Sequence, residues 1–305
     1  MAKPRELRRR IKSVQSTRKI TKTMELVATS KLKRAQDRVI AARPYAAALA
    51  EVMGDLYAPE LAERFPLLRQ PRAPEPGGPG LAPGVSRRVA LILITANRGL
   101  CGAFNANLIR EARRRIEQLE GEGATVDLHL IGKKGITYFK FAKRPVASQR
   151  TDIGDKPRAE HAAEIVGPLM AQFESGALDA VEVVFAQFKS AVSTPPTTLR
   201  ILPIAPPRGA EGGRGRRRAV NYILKPSAEA ILEQLLPLYV RNQIYRALVE
   251  TAAAFLGAQR TAMKNATDNA GDIIELLQRT YNRARQAQIT QELAEIVGGA
   301  EALKG

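Results

Sequence analysis

The sequence predicts a mixed α/β protein in which two long terminal helices pair as a coiled coil and a small α/β domain is inserted between them. Three observations carry this. Apolar residues step by three and four at both ends of the 305-residue chain, strand-like and helix-like stretches alternate through the middle, and two Pro/Gly-rich stretches separate these regions.

Residues 1–57 read as one helix. Leu32, Ala35, Val39, Ala42, Ala46, Leu49, Met53 and Leu56 alternate spacings of three and four, and Leu7, Ile11 and Val14 begin the same seam. Between them a strict continuation would place Arg18, Thr21 and Glu25 inside, so a slightly rotated stripe of Ile20, Met24 and Val27 is expected instead. Residues 58–86 are a linker: 66–86 alone carries six prolines and four glycines, which excludes a helix or central strand there.

Residues 87–206 change period. Strands are expected at 88–95, 126–131, 180–188 and 199–204, with helices at 105–120 and 158–174. That alternation argues a mostly parallel sheet. Residues 207–225 form a Gly/Arg-rich loop. Residues 226–305 form the second long helix. Its seam runs through Ile231, Leu235, Leu238, Asn242, Tyr245, Val249, Ala252, Leu256, Gln259, Met263, Ala266, Ala270, Ile273, Leu277, Thr280, Ala284 and Ala287. Pro226 suits its start and Pro237 is expected to kink its first turns. At 1.5 Å per residue this helix would reach about 110 Å and the N-terminal one about 80 Å. Each has a narrow seam and must bury it against a partner. Ile289, Leu293, Ile296 and Val297 continue beyond the reach of the shorter helix, so another protein is expected around that tip.

Composition narrows the function. Hydrophobic residues make up 45% of the chain and charged residues 26%, which fits a folded protein. Aromatics are only 5% and tryptophan is absent, which favours long helices over one large core. No apolar run approaches the roughly 20 residues of a membrane span. The one cysteine, Cys101, cannot form an intrachain disulfide, and two histidines give no zinc cluster. The net charge of +18 sits mainly at the N-terminus, where residues 1–57 hold 14 basic and 5 acidic side chains, and in one short loop, 207–224, with 5 against 1, while 225–305 are balanced at 9 each. An Arg-rich start resembles a transit peptide, but the same helical pattern continues past it.

Candidate chemistry is thin. The turn Gly99-Leu100-Cys101-Gly102 and the turn Gly132-Lys133-Lys134-Gly135 each follow a strand, and a Gly-rich turn there can hold phosphate. Neither matches a dinucleotide or P-loop spacing, so plain turns are the simpler reading. Cys101 as a nucleophile would need a base and an orienting group, and a small buried turn residue is the simpler reading. Asp152 and Asp155 flank Gly154 in a loop that solvation explains. No catalytic residue, metal or cofactor is expected. The basic N-terminus offers nucleic-acid binding as the alternative function, against which stands its lack of aromatics for stacking.

Four stretches carry a resemblance: KITKTMELVATSKLKRAQ (19–36), TANRGLCGAFN (95–105), AMKNATDNAGDII (262–274) and YNRARQAQITQELAEIVGGA (281–300). Together, in this order, the chain resembles the gamma subunits of rotary ATP synthases over nearly its whole length. The resemblance implies an antiparallel coiled coil with a Rossmann-like central domain. It implies a non-catalytic rotor shaft, one copy per complex, with alpha and beta subunits around the coiled coil and the epsilon subunit and membrane c-ring at the base. It implies a place on the cytoplasmic side of the inner membrane, coupling proton flow to ATP synthesis or hydrolysis. By motif position, Arg285, Gln286, Thr290 and Glu292 are expected to engage a beta loop, and Lys22 and Met24 a beta lever segment. Leu293 and Ile296 belong to the embedded tip, and Arg216 and Tyr222 fall near the ring. Residues 66–86 and 207–219 depart from the family pattern, and the paired cysteines of the plant chloroplast form are missing.

Overall fold

A computed structural model describes residues 4–56, 64–69, 87–204 and 228–302. These fall into two compact units, one of residues up to Ser30 with those from Gln259 onward, the other of Lys31–Ala258. Helix α1 (Pro4–Leu56) and helix α5 (Ala228–Ala302) each contribute to both. Pro44 and Pro237 sit inside helices assigned without a break.

In the first unit the helices are antiparallel: Thr21 meets Thr267, whereas Arg18, earlier on α1, lies over Gly271, later on α5. The seam differs from the expected one on both helices. On α1 it passes through Leu7, Thr21 and Ala28, while Ile20 and Val27 are 60% and 51% exposed and Met24 is only half-buried. The rotated apolar stripe is therefore corrected. A polar residue can sit inside because the two hydroxyls satisfy each other, Thr267 donating to Thr21 at 2.8 Å and Thr21 donating to the Arg18 carbonyl at 3.1 Å. On α5 the seam is Met263, Thr267, Ala270 and Ile274, then the half-buried Leu277, Tyr281 and Ala284. The expected Ala266, Ile273 and Thr280 each lie one residue off, and Ile273 is 47% exposed. Both phases share Met263, Ala270, Leu277 and Ala284, so periodicity left the choice to the partner helix. Replacing Thr21 with Val should cost about 1 kcal/mol in denaturant unfolding, with Thr21→Val plus Thr267→Val costing less than the two changes summed, since paired removal strands no hydroxyl.

The second unit is built on a five-stranded sheet of order β3-β2-β1-β4-β5. Strands β1 (Arg88–Ile94), β2 (Thr125–Ile131), β3 (Ser148–Arg150) and β4 (Ala180–Ala186) are parallel, and β5 (Pro196–Leu202) is antiparallel to β4. Between them run α2 (Phe104–Gly121), α3 (Lys133–Phe141) and α4 (Ala159–Glu174). Strand β3 and helix α3 were not expected from the sequence. The Gly132 turn is the N-terminal cap of α3: its φ is +99°, and a Cβ there would stand 2.1 Å from the Thr95 carbonyl oxygen, so only glycine fits.

Both faces of the sheet are covered, which is why β1 reads as an unbroken apolar run. On one face Ala90, Ile92, Ile94, Val181 and Val183 pack with α4 and with Leu232, Leu236, Val240 and Ile244 of α5. On the other, Leu91, Leu93, Leu128 and Leu130 pack with α2 and α3, in a cluster that also takes in Leu32, Ala35 and Val39 of α1 and Ala253–Leu256 of α5. Here α5 departs from the expected seam: Leu238 is 42% exposed, and Leu232, Leu236 and Val240 are buried in its place. The reason is that a sheet as well as a helix competes for this part of α5.

Candidate partner interface

Beyond Ala284 every residue of α5 through Ala300 is exposed. With 3.6 residues per turn, the side that carried the seam continues through Gln288, Gln291, Glu292 and Glu295. These satisfy one another along the helix, Gln288 donating to Glu292 at 2.7 Å and Gln291 to Glu295 at 2.9 Å. A second stripe opens on a different side. Ile289, Leu293, Ile296 and Val297 are 47%, 57%, 67% and 61% exposed. On an ideal helix they share an arc of under half a turn with Arg285, Gln286 and Thr290, Glu292 standing at its edge. So the coiled-coil seam ends in polar pairs and an apolar face begins elsewhere. That face has no partner among the described residues.

The structure thus brings Arg285, Gln286, Thr290, Glu292, Leu293 and Ile296 together on one helix face, all exposed. Thr290 donates its hydroxyl to the Gln286 carbonyl at 3.0 Å. Lys22 is exposed on α1, two residues before the half-buried Met24, and pairs with Glu25 at 3.1 Å. An open groove of about 1230 Å³ beside it carries Arg18, Lys19 and Lys22 on one wall and Asp268, Asp272 and Glu275 on the other. Arg216 and Tyr222 lie outside the described residues.

The Gly-rich turn after β1 spends its polar groups on its own framework. Thr95 is buried and its hydroxyl accepts from the Gly135 N–H at 3.0 Å. The Asn105 side chain accepts from the Ala96 N–H at 3.0 Å and donates to Cys101 Sγ at 3.2 Å. Cys101 is buried, and burial pushes its thiol up from the ordinary value, away from the thiolate a nucleophile needs. The crevice at the strand ends, about 350 Å³, has Leu248, Thr251, Ala252 and Phe255 of α5 as one wall. Phe255 meets Phe104 edge-on at 5.9 Å, and the Arg98 guanidinium lies over the Phe255 ring. The shape is a turn wedged under a helix.

Several interior polar residues escaped sequence reasoning. Glu250 on α5 accepts from the Phe188 N–H at 3.0 Å and pairs with Arg246 at 2.7 Å. Thr251 accepts from the Ala186 N–H at 3.3 Å. Glu182, a carboxylate within an apolar strand, accepts from Nε and Nη2 of Arg115. Only Glu182 left a signal, a charge inside an otherwise unbroken hydrophobic run.

A family profile described as ATP synthase matches residues 3–303. The chain is 61% identical over 306 residues to an ATP synthase gamma chain of Gemmatimonas aurantiaca, covering 100% of both. It is 41% identical to an ATP synthase gamma chain of Leptospira biflexa, covering 99% of this chain and 100% of that one. Among solved structures it is similar in fold to a chain of the Euglena gracilis mitochondrial ATP synthase OSCP/F1/c-ring assembly, with a TM-score of 0.65 at 19% identity, over 98% of this chain and 94% of that one. A chain of the rotor of the same organism's enzyme gives 0.63 at 18% identity, over 94% and 98%.

Proposed function

The chain belongs to the ATP synthase gamma chain family, and from that premise we propose that it works as the rotor shaft between a membrane c-ring and the alpha and beta subunits. It is a non-catalytic subunit: ATP is made or hydrolysed in beta. The observation that carries the reading is the change of side along α5. A helix that pairs with its own chain up to Ala284 and then turns an apolar face outward is built to be held by another protein. Nucleic-acid binding gains no support from this arrangement, since the exposed apolar residues nearest the basic N-terminal run of α1, Ile20, Leu26 and Val27, are aliphatic and offer no stacking surface.

In this reading Arg285, Gln286, Thr290 and Glu292 meet a beta loop, Lys22 and Met24 face a beta lever segment, and Leu293 and Ile296 sit within the ring of alpha and beta subunits. Arg216 and Tyr222 approach the c-ring, with epsilon alongside. As in its family, the subunit is peripheral in this reading, on the cytoplasmic side of the inner membrane; no helix among the described residues is long and apolar enough to cross a membrane. The mechanism is differential contact. A pair of helices of unequal length presents a different face to each beta subunit, and rotation exchanges those faces, so each site's conformational equilibrium shifts in turn. The test is co-purification: tagged chain expressed with the alpha and beta chains of the same source should return both with ATPase activity. Recovery of the chain alone, from cells that make all three, would count against the shaft.

A further inference from the structure

We propose that Asp155 is a latch that fixes α1 to the body of the α/β domain, so that twist passes between them without slip; this rests on the rotor-shaft reading above. Asp155 sits in the loop after β3. Its carboxylate takes Arg98, from the turn after β1, and Lys31 of α1 at 3.5 Å. Its backbone carbonyl accepts from Arg38 of α1 at 3.3 Å. Lys31 and Arg38 stand two helical turns apart, so the grip spans about 10 Å of α1. Contacts at two heights resist rotation as well as sliding.

The loop is itself anchored. The Asn97 side-chain amide donates to the carbonyls of Thr151 and Ile153 at 2.8 and 2.9 Å, and its oxygen accepts from the Lys133 N–H at 2.9 Å. Polar contacts at Asp155 and at Asn97, joined through the backbone of residues 153–155, therefore tie α1 to the turn after β1 and the start of α3. Helix α5 is fastened by other means. Glu250 and Thr251 bind backbone N–H groups at and just beyond the end of β4, and Gly257 lets the helix close on Ala191, where a Cβ would stand 3.0 Å from the carbonyl oxygen. Arg98 joins the two fastenings, pairing with Asp155 while stacking on Phe255. The α5 side is buried. The α1 side has a buried part, Leu32, Ala35 and Val39, and beside it the ionic cluster, which is partly wet, with Lys31 42% and Arg98 53% exposed. The ionic cluster is accordingly the part of the α1 attachment that dissolved salt weakens.

The experiment uses the assembled synthase in inverted membrane vesicles and reads two rates, ATP hydrolysis and ATP-driven proton uptake. Wild type should be coupled, with a ratio of uptake to hydrolysis that falls as salt is raised. Asp155→Asn should assemble and hydrolyse ATP, with that ratio lowered roughly threefold and its salt dependence flattened, as expected for loss of a partly exposed ionic cluster. Asp155→Glu should restore most of the ratio. An assembled Asp155→Asn enzyme with the wild-type ratio and salt dependence overturns the latch while leaving the shaft intact. If Asp155→Asn does not assemble, the pair Lys31→Gln with Arg38→Gln reads the same ratio from the helix side, and an unchanged ratio there overturns it equally. A wild-type chain that forms no complex with alpha and beta overturns both readings.

Discussion

Leu293→Asp combined with Ile296→Asp should reduce recovery of the chain in an alpha–beta complex by roughly a hundredfold, because burying a Leu or Ile side chain is worth about 1.5–3 kcal/mol and each 1.4 kcal/mol is tenfold. Both side chains are more than half exposed in the isolated chain. Its own unfolding should accordingly shift by no more than about 0.5 kcal/mol, the usual range for surface changes. That contrast separates a partner-held tip from a merely destabilised helix. The measurement is pull-down yield beside a thermal melt of the free chain. Normal yield in the double variant would remove the embedded tip, and an equal loss of folding stability would move the effect into the chain itself.

The second large effect belongs to the interior. Arg115→Ala should destabilise the α/β unit by about 3 kcal/mol, the lower part of the range for breaking a buried pair. Glu182 is 2% exposed and accepts from Arg115 at 2.6 and 2.7 Å; Arg200, at 3.5 Å, remains as a weaker partner and keeps the loss from being larger. Arg115→Met with Glu182→Leu should recover most of that stability, since the pair's desolvation cost vanishes together with its attraction. The pH dependence has a definite sign. Burial alone would raise the Glu182 carboxyl, but the hydrogen bonds and charge of Arg115 outweigh it and hold the group below its ordinary 4.5. A lowered carboxyl contributes stability above its unfolded value and loses it as pH falls through the folded one. Urea midpoints should fall below about pH 4.5 in the wild type, and fall less steeply in the double variant. Parallel acid limbs would show that Glu182 is not the group responsible.

How far the sequence reached can be seen element by element. The glycines around Gly99 mark a turn that the structure shows, whereas residues 133–135, read from the sequence as a plain turn, open helix α3 behind the Gly132 cap. Strand β1 was legible because a strand covered on both faces is apolar throughout, and β4 nearly so, with Glu182 as the one discordant residue. Helix α3 was missed because nine residues beginning Lys-Lys-Gly hold too few turns for a period to show, and β3 because three residues carry none. The partner-facing residues of the tip were legible as an apolar pattern that outlasts the coiled coil. Asp155, Glu250 and Thr251 were not, because each acts on a backbone or a charge distant in sequence, and no local pattern marks such a meeting.

The sequence by itself determined that the chain has two long heptad helices, an alternating α/β middle and an apolar far end. Those properties follow from local periodicity, which each segment carries alone. Only the tertiary structure decided which phase of the heptad faces inward. Ala266 or Thr267 and Ile273 or Ile274 are equally placed by period, and at Thr21 a polar residue is preferred to the neighbouring Ile20. Burial depends on what stands opposite: a hydroxyl becomes an inside residue when a second hydroxyl meets it at 2.8 Å, and that meeting joins residues 246 positions apart.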